Sequence, residues 1–200
     1  MEDNSVDASP GSNLDSLRLN GFVVLRKLFP ASQLQVVADM LGGPDGGSMR
    51  YDAVLRWVRG SMLPAIGASV GMPGLCFTKL RASDNNNSSD AASFHRDLVP
   101  ISREATTEQM FTCLAYLDAT RMEVVSGSHL KPAVSLVEAL GRAGKDAVSL
   151  QLENGDGLLF YSTLMHRGLF TERKQSGPGS GSCSRKKKTR NILLARSRSS

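Results

Sequence analysis

No stretch of this chain reaches the roughly 18–20 consecutive apolar residues that cross a bilayer as a helix, so no membrane-spanning helix is expected. The N-terminal stretch MEDNSVDASPGSN lacks both the basic start and the apolar run of a secretory signal. An intracellular, cytoplasmic location is therefore the expectation. Cysteine is scarce: Cys76, Cys113 and Cys183 are odd in number and lie at no metal-like spacing, which suits reduced thiols rather than a disulfide framework. The C-terminal SRSS is not a peroxisomal tripeptide of the S-K-L type. A net basic excess is missing from most of the chain despite a net charge of +5. From Thr171 onward nine Lys and Arg face one acid, a balance of +8, whereas the first 170 residues hold 15 basic and 18 acidic residues, a balance of −3. A nucleic-acid partner is disfavoured, because its basic footprint should lie on the folded surface rather than in a tail.

What is present suffices for one domain: 200 residues, 40% of them hydrophobic, can bury a core. Residues 1–13 are polar and expected to be disordered. GFVVLRKLF (Gly21–Phe29) is a β-rich run closed by Pro30. Ser32 can cap a helix through Leu41, on which Leu34, Val37, Met40 and Leu41 share a face, and Tyr51–Val58 reads as a second helix. Short β runs follow at Leu75–Arg81, Gln109–Leu117, Val148–Leu152, Gly157–Tyr161 and Arg190–Ala195. Helices first and closely spaced strands afterwards predict a mainly β fold, a barrel or sandwich with helices packed outside. Loops are expected at 83–92, polar and rich in Asn and Ser, and at 171–188, rich in Gly, Ser and Lys.

Only three histidines are available for chemistry. His95 and Asp97 form an H-x-D pair, and residues two apart on an extended strand face the same side. His166 follows a β run after a Gly-Asp-Gly turn and can enter from a facing strand. Two neutral imidazoles and one carboxylate on one face form the facial triad of non-haem Fe(II) oxygenases, whose open positions admit other ligands. HRDL (His95–Leu98) also spells the start of a protein-kinase catalytic loop. Ser102 stands where the kinase Asn should be, no D-F-G follows and no G-x-G-x-x-G loop precedes, which excludes that reading. Arg190 opens the last β run and is a candidate partner for a buried carboxylate, since guanidinium and carboxylate pair in a planar fork.

Taken together, NGFVVLRKLFP (Asn20–Pro30), FHRDL (Phe94–Leu98), FTCLAYLDAT (Phe111–Thr120), VVSGSHLK (Val124–Lys131), NGDGLLFYSTLMHRG (Asn154–Gly168) and TRNILLARS (Thr189–Ser197) resemble, in order, segments of the phytanoyl-CoA dioxygenase-like family. The resemblance implies a double-stranded β-helix (a cupin-like jelly roll) over residues 14–200. It also implies Fe(II) and the cosubstrates 2-oxoglutarate and O2. It assigns the metal to His95, Asp97 and His166, the distal carboxylate of 2-oxoglutarate to Arg190, and the cosubstrate pocket to Lys79, Thr112 and Leu114. His129 matches a structural histidine of the family's turn. The chain departs from the family in a shortened connection between Leu117 and Gly127, in Ser126 where the family has Pro, and in a long insertion before Arg190.

The expected activity is hydroxylation of a small organic or acyl substrate. A carboxylate at Asp97 favours it over halogenation, because related halogenases have Gly or Ala there and leave room for chloride. The alternatives are a cupin-like barrel using another metal and an inactive oxygenase fold kept as a binding module.

Overall fold

Gly157–Tyr161 is apolar at nearly every position because the strand it forms is covered on both faces. A computed structural model of the chain describes residues 10–42, 48–75, 79–84, 93–98, 110–117, 119–131, 146–169 and 190–195. Its helices come first: α1 (Pro10–Asn20), α2 (Ala31–Gly42), α3 (Ser48–Trp57) and α4 (Leu63–Val70), with β1 (Phe22–Leu25) between the first two. Strands β2 (Lys79–Asp84), β3 (Phe111–Tyr116), β4 (Thr120–Val125), β5 (Ala147–Leu152), β6 (Gly157–Tyr161), β7 (His166–Leu169) and β8 (Arg190–Ala195) follow. They build a five-stranded sheet in the order β1-β6-β3-β8-β2 and a three-stranded sheet in the order β5-β4-β7, with every pairing antiparallel. The fold is mainly β, as expected.

Period-two alternation divides the large sheet into two apolar faces. Val23, Leu25, Cys113, Ala115 and Leu159 pack with Leu17, Leu34, Val37, Val58, Met62 and Ile66 of the helical layer. The alternate residues Val24, Leu114, Tyr116, Leu158 and Phe160 meet Met122, Val124 and Leu152 of the small sheet. The second face points toward the candidate site. The Tyr116 hydroxyl, fully buried there, donates to Met122 Sδ.

Helix α1 begins at Pro10, inside the span expected to be disordered. Leu17, fully buried, anchors it, and Asn13 Nδ2 donates to the Ser69 carbonyl at 2.9 Å. Residues 1–9 lie outside the described residues. The loop expected at 83–92 starts later, because Ser83 and Asp84 pair with Asn191 and Arg190. The rest of that loop, the insertion at 171–188, Cys76 and Cys183 lie outside the described residues. Among the described residues no helix is long and apolar enough to cross a membrane.

The turn before β6 is held by Asp156. Its fully buried carboxylate accepts from the Lys27 amide at 3.0 Å, the Glu153 amide at 3.0 Å and Arg26 Nη1 at 2.6 Å. Burial alone would raise its pKa, but these donors outweigh burial and leave it below the ordinary carboxylate value. Asp156 is a turn residue with its bonding capacity spent.

Candidate metal centre

His95 lies in no regular strand; a single antiparallel bridge fixes it to the first residue of β7. The amides of His95 and His166 each donate to the other's carbonyl at 3.0 Å. Directly opposed residues project to the same side of a pleat, and the two imidazoles accordingly lie with ring centroids 4.4 Å apart. Asp97, two residues on, projects to the same side. The flanking backbone is tied to the turn between β6 and β7: Leu98 N donates to the Ser162 carbonyl at 2.8 Å, and Arg96 Nη1 to the Thr163 carbonyl at 2.7 Å.

The result is one cluster. One ligand atom from each of His95, Asp97 and His166 lies within 4.8 Å of the others. Asp97 Oδ1 is 3.9 Å from His95 Nε2 and 3.7 Å from His166 Nε2. His166 is buried against Phe160, with ring centroids 4.6 Å apart, while His95 and Asp97 remain partly open to solvent.

The second contacts of each ligand decide what the cluster can do. His95 Nδ1 donates to the Ser93 carbonyl at 2.9 Å, and His166 Nδ1 to the Leu164 carbonyl at 3.0 Å. A carbonyl only accepts, so each Nδ1 carries the proton and each Nε2 presents a lone pair to the cluster. The Thr112 hydroxyl donates to Asp97 Oδ2 at 2.7 Å and lies 3.1 Å from Ser162 Oγ, leaving Oδ1 turned toward the histidines. Burial holds the His166 pKa below the ordinary imidazole value, assisted by His95 and opposed by Asp97 and the Leu164 carbonyl. The neutral imidazole is the form that binds metal. Two presented nitrogens, one oriented carboxylate and solvent access on one side form a donor set that can hold iron.

Of the other residues singled out in the sequence, Thr112 sits beside the cluster. Leu114 lies further along β3, half-buried between the sheets. By register, Lys79 pairs with Ala195, which pairs with Thr112, so these three share one row across the sheet. Arg190 pairs with Asp84 at the other end of β8, about 17 Å along the strand from Ala195 at roughly 3.4 Å per residue. His129 is separate from the cluster: its ring stacks on Tyr161 at 4.6 Å and its Nε2 donates to the Arg18 carbonyl at 3.0 Å. No sequence signal marks the cross-strand pair Glu123–Arg167 beside His166, which appears only once the register of β4 and β7 is known.

No family model matches the chain, and no curated protein sequence does. Solved structures share its fold. The structure of SnoN, an epimerase from nogalamycin biosynthesis, in complex with Fe3+, alpha ketoglutarate and nogalamycin RO is 18% identical, with a TM-score of 0.62 over 92% of this chain and 82% of that one. EvdO2 from Micromonospora carbonacea var. aurantiaca, complexed with 2-oxoglutarate, is 13% identical with a TM-score of 0.60, covering 92% of this chain and 88% of that one. EctD from S. alaskensis is 14% identical with a TM-score of 0.59, covering 98% and 79%. The chain thus shares its fold with these solved structures, among them that of a non-haem, alpha ketoglutarate-dependent epimerase.

Proposed function

We propose that this chain is an Fe(II)/2-oxoglutarate-dependent dioxygenase on a double-stranded β-helix, of the phytanoyl-CoA dioxygenase-like kind, that hydroxylates a small organic or acyl substrate. The observation that carries the reading is the convergence of His95, Asp97 and His166, with both Nε2 lone pairs and Asp97 Oδ1 turned to a common point. Bound there, iron with 2-oxoglutarate and O2 supplies an oxidant for an unactivated C–H bond, one oxygen atom passing to succinate and the other to the product, with loss of CO2.

The protein's own part is to bind and to orient. The two carbonyls that accept from the Nδ1 atoms fix the imidazole tautomers, and Thr112 fixes the carboxylate. Phe160 and the buried face of β6 exclude water from behind His166. Asp97 fills a position that a halogenase leaves open for chloride, which favours hydroxylation. For the cosubstrate we propose Arg190 as the cation for the distal carboxylate, with Lys79, Thr112 and Leu114 lining its pocket. Lys79 has the support of sharing the cross-sheet row of Thr112, and Arg190 that of opening the last strand.

The test is succinate release from 2-oxoglutarate in the presence of Fe(II) and O2. Wild-type protein should form succinate, and H95A, D97A and H166A should form none. Full turnover in any of the three would refute the assignment. Among active variants, R190A should raise the KM for 2-oxoglutarate more than it lowers kcat, which identifies Arg190 as the cation that binds the distal carboxylate.

A further inference from the structure

His95 is the ligand with the least regular support. His166 belongs to a strand paired along its length with β4, whereas His95 contributes one bridge and its neighbours belong to no strand. The ties of Arg96 and Leu98 hold the segment after it, and the segment before it must be held by something else. The residue before it, Phe94, is buried with Val125, Met165 and Ala147 on the side of the small sheet away from the cluster. Over the Phe94 ring lies the guanidinium of Arg167, its Cζ 4.4 Å from the centroid. Arg167 in turn is aimed by Glu123, directly opposite it across β4 and β7. Oε2 of Glu123 accepts from Arg167 Nε at 2.7 Å and lies 2.6 Å from Nη2. A guanidinium held over an aromatic face and fixed by a carboxylate is a directional clamp, because the carboxylate sets where the cation lies above the ring.

We propose that Arg167 is a positioning residue for His95, acting through Phe94 and oriented by Glu123. The proposal rests on the metal-site reading above and goes beyond it, since neither residue faces the cluster. His166 and Arg167 are successive residues of one strand and project to opposite sides, so one element supplies a ligand on one side and the clamp for its partner ligand on the other. Removing the clamp leaves His95 with its bridge, the Ser93 carbonyl and the ties of Arg96 and Leu98 that follow it, but frees the segment before it, and the cluster loses the pre-set separation of its nitrogens.

The experiment is anaerobic Co(II) titration of the metal-free protein, followed by visible d–d absorption, with H166A as the control that removes a ligand. Arg167→Met keeps the stem and removes the planar cation; it should raise the Kd about tenfold, the lower end of what loss of such outer contacts produces. Arg167→Lys, which restores the charge without the fork, should fall between Arg167→Met and wild type. A purely architectural role would lower the melting temperature of the metal-free protein and leave the Kd alone, so a Kd within twofold of wild type in folded Arg167→Met overturns the proposal. If Arg167→Met does not fold, Glu123→Gln, nearly isosteric and able to release the guanidinium, is judged by the same ratio. If wild-type protein binds no Co(II), or binds it as well as H166A does, the metal reading itself has failed, which is a different result from tight binding by both wild type and Arg167→Met.

Discussion

His95 and His166 exchange a pair of backbone hydrogen bonds, each amide to the other's carbonyl at 3.0 Å, and their rings stand 4.4 Å apart on the same side of that bridge. The backbone bonds do not depend on the imidazoles. Substituting His95, whose side chain is 41% exposed, should therefore leave the fold intact and remove only ligand binding. Thermal unfolding of H95A without metal should match wild type closely. Wild type should be stabilised by Mn(II) with 2-oxoglutarate, by about 2.7 kcal/mol at a hundredfold excess over Kd, and H95A should not be.

Thr112 tests the orientation of the carboxylate. T112V keeps the shape and deletes the donor to Asp97 Oδ2. It should weaken metal binding about 10- to 100-fold and destabilise the metal-free protein by only about 1 kcal/mol. T112S should restore both. Metal titration and chemical denaturation of the two variants check this.

The pH dependence of the metal-free protein follows from two histidines. Burial lowers the pKa of His129, opposed by the Arg18 carbonyl and assisted by Arg96, and burial also lowers that of His166. Between their folded values and the ordinary value of about 6.5, the unfolded chain binds more protons than the folded one. Stability therefore rises with pH across that window and is lost as pH falls through it. For His129 the structural reason is plain: Nε2 donates to a carbonyl, and Nδ1 is buried without a partner, so a second proton has nowhere to bond. Unfolding free energies of H129Q between about pH 5 and 7 should show a shallower slope than wild type. An unchanged slope would remove His129 from the account.

Gly21 is the tightest backbone constraint near the site. Its φ is +86°, and a Cβ there would lie 2.3 Å from His129 Nδ1 and 2.6 Å from Leu164 Cδ1. G21A should destabilise the protein by about 2–4 kcal/mol, from left-handed strain and the clash together. Because the Leu164 carbonyl accepts from His166 Nδ1, displacement of Leu164 should weaken metal binding as well. Denaturation curves and metal titration of G21A measure the two effects.

The parts of this fold that the sequence makes legible are those where a local rule and the tertiary environment agree. The H-x-D spacing works because His95 and Asp97, though outside any regular strand, present their side chains to one cluster, and His166 was identifiable as one of only three histidines, after a run that is now β6. Strand β4 was less visible. TRMEVV (Thr120–Val125) buries Met122 and Val124 and exposes Arg121, a clear alternation, but it is short and carries charge on its outer face. The carboxylate of Glu123 on that strand is satisfied across the ladder by Arg167, which only the register reveals. Helix α4, for which the sequence sets no expectation, carries Pro64 and Gly67, both poor helix formers. A π turn at Val58–Met62 leads into it, and Pro64 falls in its first turn, where a missing amide donor is tolerated. Helix α1 contains Pro and Gly and depends on the burial of Leu17, a tertiary effect with no local signal. The hydrogen bond from Thr112 to Asp97 joins residues 15 apart through the fold. The sequence could point to Thr112 only by resemblance, and for a different partner.

The central claim is that His95, Asp97 and His166 together hold one iron ion able to bind 2-oxoglutarate. The most direct measurement is anaerobic Fe(II) titration in the presence of 2-oxoglutarate, read by calorimetry and by the visible charge-transfer band of an iron-bound 2-oxo acid. The account predicts one Fe(II) per chain and a band that appears only when both are present, with stoichiometric binding and band both lost in H166A. Failure of the wild-type protein to bind, or a band of equal intensity in H166A, would contradict it.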